Sequence, residues 1–214
     1  MFYLVRTPVA ITRLLYPKRL WSMPATEKKI YLTFDDGPHP DATPWVLDKL
    51  RAYAAHATFF CIGKNVAQYP GIYKRILAEG HATGNHTYHH FDGRKTADRT
   101  YFDDIIKAAG FIDSRLFRPP YGSMTSFQAK NLSGQPGYTI VMWSVLSGDF
   151  DAAVTPETCF LNVQQATGNG SIVVFHDSEK ASEKMKYALE NTLRYFSERG
   201  FQFTSLPAMA TPAK

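Results

Sequence analysis

Short apolar runs alternate along this chain with segments whose apolar residues recur at helical spacing. The runs are rich in β-branched and aromatic residues, and they lie at residues 30–34, 57–62, 138–143 and 170–175. Weaker extended segments lie at residues 81–85, 116–118 and 201–204. Helical spacing predicts helices near residues 43–53, 72–79, 100–114, 156–165 and 182–199. This alternation favours an α/β fold with parallel, buried strands.

Polar groups follow the predicted strands at the points where the strands end. These groups are Asp35–Asp36, residues 86–90, residues 118–121, Asp149 and His176. In a parallel barrel the carboxyl ends of all strands open onto one face, where active sites are built. Because 214 residues are few for eight full strand–helix units, we expect a seven-stranded or irregular barrel. An open flavodoxin-like sheet is the alternative.

The adjacent carboxylates Asp35 and Asp36 end the first predicted strand, and Gly37 and Pro38 follow them. Two neighbouring carboxylates repel each other unless a metal ion, a cation or a shared proton offsets their charge. An ordinary turn is the alternative, because Asp-Gly-Pro is common in turns.

Two histidines four residues apart, His86 and His90, are suited to hold one metal ion, because one helical turn would place both imidazoles on one face. With Asp36 they form a set of two histidines and one carboxylate, which leaves coordination positions for water and substrate. His89 is a spare imidazole that we expect to face away or to support the ligands. A histidine pair at this spacing also occurs without any metal.

Consecutive prolines at 119 and 120 remove two backbone donors, so the next free amide belongs to Tyr121. A rigid turn that presents one N–H group suits the stabilisation of an oxyanion. Arg118 supplies a permanent positive charge close to the acids. His176 ends the clearest strand and suits a general acid. A loop shaped by proline and a core histidine are the alternatives.

Four successive motifs resemble those of the NodB-homology polysaccharide deacetylases, carbohydrate esterase family 4. They are residues 33–37, 86–90, 118–121 and 172–177, and the similarity extends over about residues 30–206. The resemblance implies a distorted (β/α)7–8 barrel and metal-dependent removal of N- or O-acetyl groups from sugars, commonly polymers of N-acetylglucosamine.

Roles for individual residues also follow from the resemblance. It implies that the metal ligands are Asp36, His86 and His90. It makes Asp35 the general base, oriented by Arg118, and His176 the general acid. The Tyr121 amide would stabilise the oxyanion, and we expect the substrate to contact Tyr121, Trp143 and Asp149. One divalent ion is implied; zinc is favoured, and cobalt, nickel or iron also suit these ligands.

The family has five motifs, and its own fourth motif, which lies here between residues 121 and 172, departs from the family pattern. The family commonly has an aspartate that pairs with the motif-three arginine, and this chain has Leu146 at that position. Three residues after that aspartate the family has Asp or Ser followed by Trp, and this chain has Asp149-Phe150 there. We therefore expect either that Arg118 lacks its usual partner or that Asp149 or Asp151 replaces it. In the fifth motif Val174 stands where leucine is usual.

The first 26 residues contain four basic residues and no acidic one. Arg13 interrupts their apolar run and no small-residue cleavage site follows, so we expect a mature N-terminal arm at 1–29 and a catalytic domain at 30–214. The location in the cell stays open, with the cytoplasm favoured over export. The arm offers contact with an anionic membrane surface as an alternative to simple packing.

Composition limits the classes of partner. The net charge of +5 comes without clusters of basic and aromatic residues, which argues against nucleic acid. No apolar stretch is long enough to span a membrane, and Cys61 and Cys159 lie in apolar contexts that predict buried thiols. The family resemblance implies a carbohydrate substrate. The alternatives are a related hydrolase acting on a small amide or imide, a non-catalytic sugar- or metal-binding relative, and a structural metal site.

Overall fold

In the computed structural model, which describes residues 4–134 and 137–207, a curled parallel β-sheet is covered by helices. Its strands are β1 (Arg19–Leu20), β2 (Lys29–Asp35), β3 (Thr58–Cys61), β4 (Ala82–Asn85), β5 (Leu116–Phe117), β6 (Thr139–Val141), β7 (Val145–Leu146), β8 (Ile172–His176) and β9 (Gln202–Phe203). The helices are α1 (Val9–Leu15), α2 (Ala42–Ala52), α3 (Gly63–Gln68), α4 (Pro70–Ala78), α5 (Asp98–Ala109), α6 (Ser126–Ser133), α7 (Pro156–Ala166) and α8 (Ser182–Ser197). One 3₁₀ turn covers Pro120–Gly122.

The strand order is β1-β6-β5-β4-β3-β2-β8-β7, and β9 pairs with the start of β2. Strands β2 to β6 are therefore neighbours in chain order. An open doubly wound sheet would reverse its order at a switch point, so the flavodoxin-like alternative is wrong. The predicted α/β fold with parallel strands is confirmed.

Strand β2 is buried on both faces, which explains its nearly continuous apolar sequence. On the outer face Phe34 stacks between Phe59 of β3 and Phe175 of β8, with ring centroids 5.0 and 6.0 Å apart. On the inner face Tyr31 belongs to a cluster with Phe60 and other residues. The strand that ends at Asp35 is thus held by side-chain packing on both of its faces.

The segment predicted as an arm contributes two elements, α1 and β1. Strand β1 pairs with β6, and Arg6 and Ser22 form single antiparallel bridges with Val145 and Ser171. Both cysteines are free and buried, as predicted. Within residues 4–134 and 137–207, no helix is both long and apolar enough to cross a membrane.

Several helices differ from the sequence prediction: α1, α3 and α6 were not predicted, and α5 ends at Ala109 instead of near residue 114. Helix α2 begins at Ala42, one residue before the predicted start at residue 43. The Thr43 hydroxyl does not cap the helix; it donates to Asp177 and accepts from the His39 amide. Helix α3 begins at Gly63, directly after the apolar run at residues 57–62.

Candidate active site

The predicted site residues converge at the carboxyl ends of the strands. Asp35 ends β2, His176 ends β8, and the two are register partners across the sheet. His86 directly follows β4, and Arg118 directly follows β5. These four side chains therefore lie at one edge of the sheet, as expected for polar residues that follow parallel strands.

A cluster of possible metal ligands consists of Asp36, His86 and His90. One ligand atom from each lies within 4.8 Å of the others. The Nε2 atoms of His90 and His86 are 3.2 and 3.7 Å from Oδ1 of Asp36. Asp36 follows β2, whereas His86 and His90 follow β4. The folding of the sheet brings the aspartate to the histidines.

The two histidines do not share a helical turn, as the sequence prediction supposed. Residues 86–90 form an irregular loop in which Thr87 and His90 have positive φ values of 63° and 61°. Asn85 fixes the start of the loop, because its Oδ1 accepts a hydrogen bond from the Thr87 amide at 2.8 Å. The imidazoles meet because the loop folds back on itself.

A buried carboxylate from α5 holds the middle of this loop. Oδ2 of Asp104 accepts hydrogen bonds from the amides of Tyr88 and His89, at 2.8 and 2.9 Å. Its Oδ1 lies 2.5 Å from Nδ1 of His89. His89 is thus bound to the support of the loop and does not compete for the metal cluster. Sequence reasoning missed Asp104, which lies on a different element and carries no motif.

The protonation states of the cluster suit a metal ion. Nδ1 of His86 lies 2.7 Å from the Arg118 carbonyl oxygen, so it must carry the proton, and Nε2 keeps its lone pair. Burial lowers the pKa of His86 to about 4, which keeps the imidazole neutral. Burial opposes ionisation of Asp36, but His90, His176 and His86 hold its pKa well below the usual range.

The strongest indication that the cluster binds a metal ion is the environment of Oδ1 of Asp36. This oxygen is buried, and among the described residues it has no partner with hydrogen-bond geometry, although His90 Nε2 is close. Buried carboxylate oxygens normally have a partner. Two imidazoles and one carboxylate fit zinc and other divalent transition metals.

Arg118 is fully buried and binds Asp35 directly, with 2.7 Å between Nη1 and Oδ1. Burial lowers the pKa of Arg118, and the charge of Asp35 opposes that change. The remaining guanidinium donors bind the Thr33 hydroxyl and the backbone carbonyls of Val141 and Met142. Backbone oxygens therefore occupy the positions for which we expected another acid.

Asp149 pairs with His176 and not with Arg118. Its Oδ1 lies 2.7 Å from Nδ1 of His176, and its Oδ2 accepts the His176 amide at 2.8 Å. Asp149 is fully buried, so its carboxylate is committed to the histidine and is closed to the substrate contact that we expected. Asp151, the other expected partner of Arg118, instead caps the nearby turn by accepting the Ala153 amide.

The charge of Asp149 controls the titration of His176. Burial lowers the pKa of this histidine, but the charge and hydrogen bond of Asp149, together with the charges of Asp36 and Asp35, raise it to about 10. The imidazole is therefore protonated at neutral pH. The ring of Phe150 covers it with centroids 5.3 Å apart.

Tyr121 follows the two prolines with φ at +60°, in the left-handed region. Its amide finds no acceptor among the residues that the structure describes, so the N–H group is open to a ligand. The exposed side chain lies over His90, with its hydroxyl 3.2 Å from Nδ1. Half-buried Trp143 packs against Gly122, where a Cβ atom would come within 2.6 Å of the indole.

A second carboxylate that the sequence analysis did not single out, Asp177, joins the ends of β2 and β8. It is fully buried and accepts hydrogen bonds from the Gly37 amide and the Thr43 hydroxyl. Burial raises the pKa of Asp177 to about 8, and the bond from Thr43 opposes that shift. Its position directly after His176 was the only sequence signal of a role.

Comparison with known protein sequences finds similarity to polysaccharide deacetylases. The sequence profile of the polysaccharide deacetylases matches residues 22–141. A peptidoglycan-N-acetylglucosamine deacetylase of Bacillus cereus is 36% identical over 192 residues, which are 87% of this chain and 90% of that protein. A chitooligosaccharide deacetylase of Azorhizobium caulinodans is 34% identical, over 85% of this chain and 94% of its own length.

Solved structures give the same result for the fold. The crystal structure of a peptidoglycan N-acetylglucosamine deacetylase covers 97% of this chain and 100% of its own, with a TM-score of 0.87 and 31% identity. A family 4 carbohydrate esterase from Streptomyces lividans, solved with acetate, has a TM-score of 0.76 and 26% identity, over 87% of this chain and 96% of its own. The distorted barrel implied by the sequence motifs is confirmed.

Proposed function

The chain belongs to the polysaccharide deacetylases, hydrolases of carbon–nitrogen bonds other than peptide bonds, and we propose that it removes N-acetyl groups from N-acetylglucosamine polymers with the help of one divalent metal ion. The relatives are named as peptidoglycan and chitooligosaccharide deacetylases, which supports this substrate class. The observation that carries the proposal is the convergence of the cluster of Asp36, His86 and His90 with Asp35 and protonated His176.

Asp36, His86 and His90 would hold the ion. Zinc is favoured by two imidazoles and a carboxylate, and cobalt, nickel or iron also suit this set. A bound divalent ion would polarise the acetyl carbonyl and make water a better nucleophile at neutral pH. The buried, unpartnered Oδ1 of Asp36 and the free Nε2 of His86 support this role.

Asp35 would accept the proton of the attacking water. Its Oδ1 is bound by Arg118 at 2.7 Å, which fixes the orientation of the carboxylate. Arg118 is itself held by the Val141 and Met142 carbonyls. The guanidinium therefore positions the base without needing the acid that Leu146 replaces.

The Tyr121 amide would stabilise the oxyanion that forms at the acetyl carbonyl. The two preceding prolines hold the turn, and the amide lacks a competing acceptor in the described part of the chain. A preorganised donor of this kind stabilises charge that develops in the transition state. The exposed ring of Tyr121 and the indole of Trp143 flank the turn and are the side chains that we expect a sugar to contact.

His176 would protonate the leaving amine of the sugar. Its Nδ1 donates to Asp149, so the proton for transfer lies on Nε2. The raised pKa keeps that proton in place at neutral pH. Asp149 acts here as a positioning residue, since it touches only the histidine.

Release of acetate tests the proposal. N-acetylglucosamine oligomers, peptidoglycan fragments and a small cyclic imide are offered to the purified protein, beside the Asp35→Asn variant. We expect acetate from the sugar substrates and a kcat that falls roughly 10²–10⁴-fold in the variant, the usual value of a positioned base. Asp41→Asn, in an exposed residue outside the site, is the matched control.

Three other results would each overturn part of the proposal. Hydrolysis of the imide alone would favour the small-amide alternative. Sugar binding without acetate release would favour a non-catalytic relative. An unchanged kcat in Asp35→Asn would remove the assignment of the base.

A further inference from the structure

Exposed large apolar side chains are concentrated at the N-terminal end of the described chain. We call Leu4, Ile11, Leu14 and Leu15 the N-terminal apolar face; their exposed fractions are 66, 58, 82 and 63%. Helix α1, which carries three of them, has no buried residue. Soluble surfaces seldom collect such side chains without a binding partner.

The apolar face points outward because the other side of α1 is attached to the protein. Arg13 donates hydrogen bonds to the carbonyl and hydroxyl oxygens of Ser22. Val9 packs against the cluster around Trp21. Residues 11, 14 and 15 fall at helical spacings of three and four, so they share the opposite side. The helix is thus fixed in place with an uncovered apolar stripe.

Positive charge borders this face. Arg6 precedes α1 and Lys18 follows it in the sequence; both are exposed, and neither forms an ion pair with any described residue. The first acidic residue in the sequence is Glu27. Apolar side chains flanked by free cations match the interface of an anionic bilayer, which offers acyl chains beneath phosphate headgroups. A second copy of the chain would bring the same cations together and repel.

The part of the apolar face that lies on α1 is separated from the catalytic residues by the length of a strand. Residues 6–11 line a cleft of about 640 Å³ together with Ser144 and Ser171. Ser171 directly precedes β8, and His176 is the last residue of that strand. Ser171 and His176 are five residues apart, and at about 3.3 Å per residue the strand places the cleft beside α1 on the order of 17 Å from the acid.

We propose that the N-terminal apolar face docks the protein on an anionic phospholipid surface, which leaves the active site directed away from the bilayer. This inference concerns a different surface from the proposed catalytic function and does not depend on it. The binding is peripheral, through a short helix that lies in the interface.

Sedimentation with vesicles tests the proposal. The whole chain is mixed with vesicles of phosphatidylcholine, with or without phosphatidylglycerol. We expect binding to the anionic vesicles only, weakened by salt. Arg6→Ala/Lys18→Ala should bind about 30-fold more weakly, at about fivefold for each cation. Lys74→Ala/Lys130→Ala makes the same change in net charge at exposed residues on α4 and α6 and should bind as the parent does.

A second pair of variants tests the apolar contribution. Leu14→Glu/Leu15→Glu should abolish binding, whereas Leu77→Glu/Ile106→Glu, which changes two exposed apolar residues elsewhere, should retain it. Unchanged thermal denaturation and acetate release would show that each variant is folded. Absence of parental binding to anionic vesicles would overturn the proposal. Equal binding by Leu14→Glu/Leu15→Glu and Leu77→Glu/Ile106→Glu would overturn it as well. So would a parental dimer in light scattering that Leu14→Glu/Leu15→Glu converts to a monomer.

Discussion

Both carboxylate oxygens of Asp149 are bound to His176, one to the ring Nδ1 at 2.7 Å and one to the backbone amide at 2.8 Å. The contact fixes the ring, selects the tautomer that leaves Nε2 free for the substrate, and places a buried negative charge beside the imidazole. That charge and hydrogen bond are the largest influences opposing burial in setting the pKa of His176.

Replacing Asp149 by asparagine should therefore change the pH dependence of catalysis. The parental His176 has a pKa raised to about 10, so the acid stays protonated and active through neutral pH. Loss of the charge lowers that pKa, and the alkaline limb of kcat/KM against pH should move to lower pH. Asp151→Asn is the control, because Asp151 binds the Ala153 amide and not the histidine. An alkaline limb that stays in place in Asp149→Asn would contradict the role given to this pair.

The same pair makes a contribution to stability that depends on pH. The folded-state pKa of His176 lies above its ordinary value of 6.5, so protonation favours the folded state. This contribution is complete below about pH 6.5 and is lost as the pH rises through about 10. The difference in Tm between the parent and Asp149→Asn should accordingly be larger at pH 6 than near pH 10. Thermal denaturation of both proteins from about pH 6 to about pH 10 measures this difference in Tm. A difference in Tm that increases with pH would contradict the prediction.

Removal of the metal should abolish acetate release and lower the Tm, because a ligand that binds only the folded state stabilises it. Addition of zinc or another divalent transition metal after chelation should restore both. Elemental analysis should find one ion in each parental chain and almost none in His86→Ala. His56→Ala alters an exposed histidine outside the cluster and should retain the ion. Full activity of the metal-free protein would contradict the proposed mechanism.

The sequence predicted the parts of the site that depend on strand ends. Asp35 and His176 end buried strands whose apolar pattern is plain in the sequence, and parallel pairing places both at one edge. The spacing of the two histidines and the four motifs predicted the cluster of Asp36, His86 and His90 as possible metal ligands. The means by which His86 and His90 meet were predicted wrongly, because a helical turn and a folded loop share the same spacing of four residues. Only the positive φ values at Thr87 and His90 distinguish them.

Contacts between distant side chains and backbone carbonyls were beyond sequence reasoning. The sequence predicted either that Arg118 lacks its usual acidic partner or that Asp149 or Asp151 replaces it; in the structure, neither replaces it, and the guanidinium donates to the carbonyls of Val141 and Met142. Every residue carries a carbonyl, so nothing in the sequence marks these two. Asp104 is a similar case, because its carboxylate binds the loop at residues 86–90 from a helix that otherwise has an ordinary amphipathic pattern.

The Asp104 carboxylate should control metal affinity through the loop. Asp104→Asn replaces one of the oxygens that bind the Tyr88 and His89 amides and the His89 ring. We expect metal affinity to fall roughly 10–100-fold, as it does when groups that orient metal ligands are removed. Competition with a chromogenic chelator measures this without any substrate. Asp103→Asn changes an exposed neighbour on the same helix and should keep parental affinity; equal affinity in the two variants would remove the role of Asp104.

Gly37 should tolerate no side chain, because the Asp177 carboxylate occupies the space beside it. A Cβ atom on Gly37 would lie 2.1 Å from Oδ2 of Asp177. Gly37→Ala must therefore displace the carboxylate that binds the Gly37 amide and Thr43. We expect a loss of about 1–3 kcal/mol in the free energy of unfolding, typical of overpacking.

Because Asp35 and Asp36 directly precede this glycine, the same displacement should move both carboxylates. A misplacement of about 1 Å costs on the order of 10²-fold in rate, so acetate release by Gly37→Ala should fall by about that factor even below its melting temperature. Gly71→Ala is the matched control, since a Cβ atom there meets nothing within 4 Å, and it should be neutral or stabilising by about 0.4–1 kcal/mol. Chemical denaturation and initial rates measured together separate the two effects. Parental rates in a folded Gly37→Ala variant would show that the Asp177 contact does not position the catalytic aspartates.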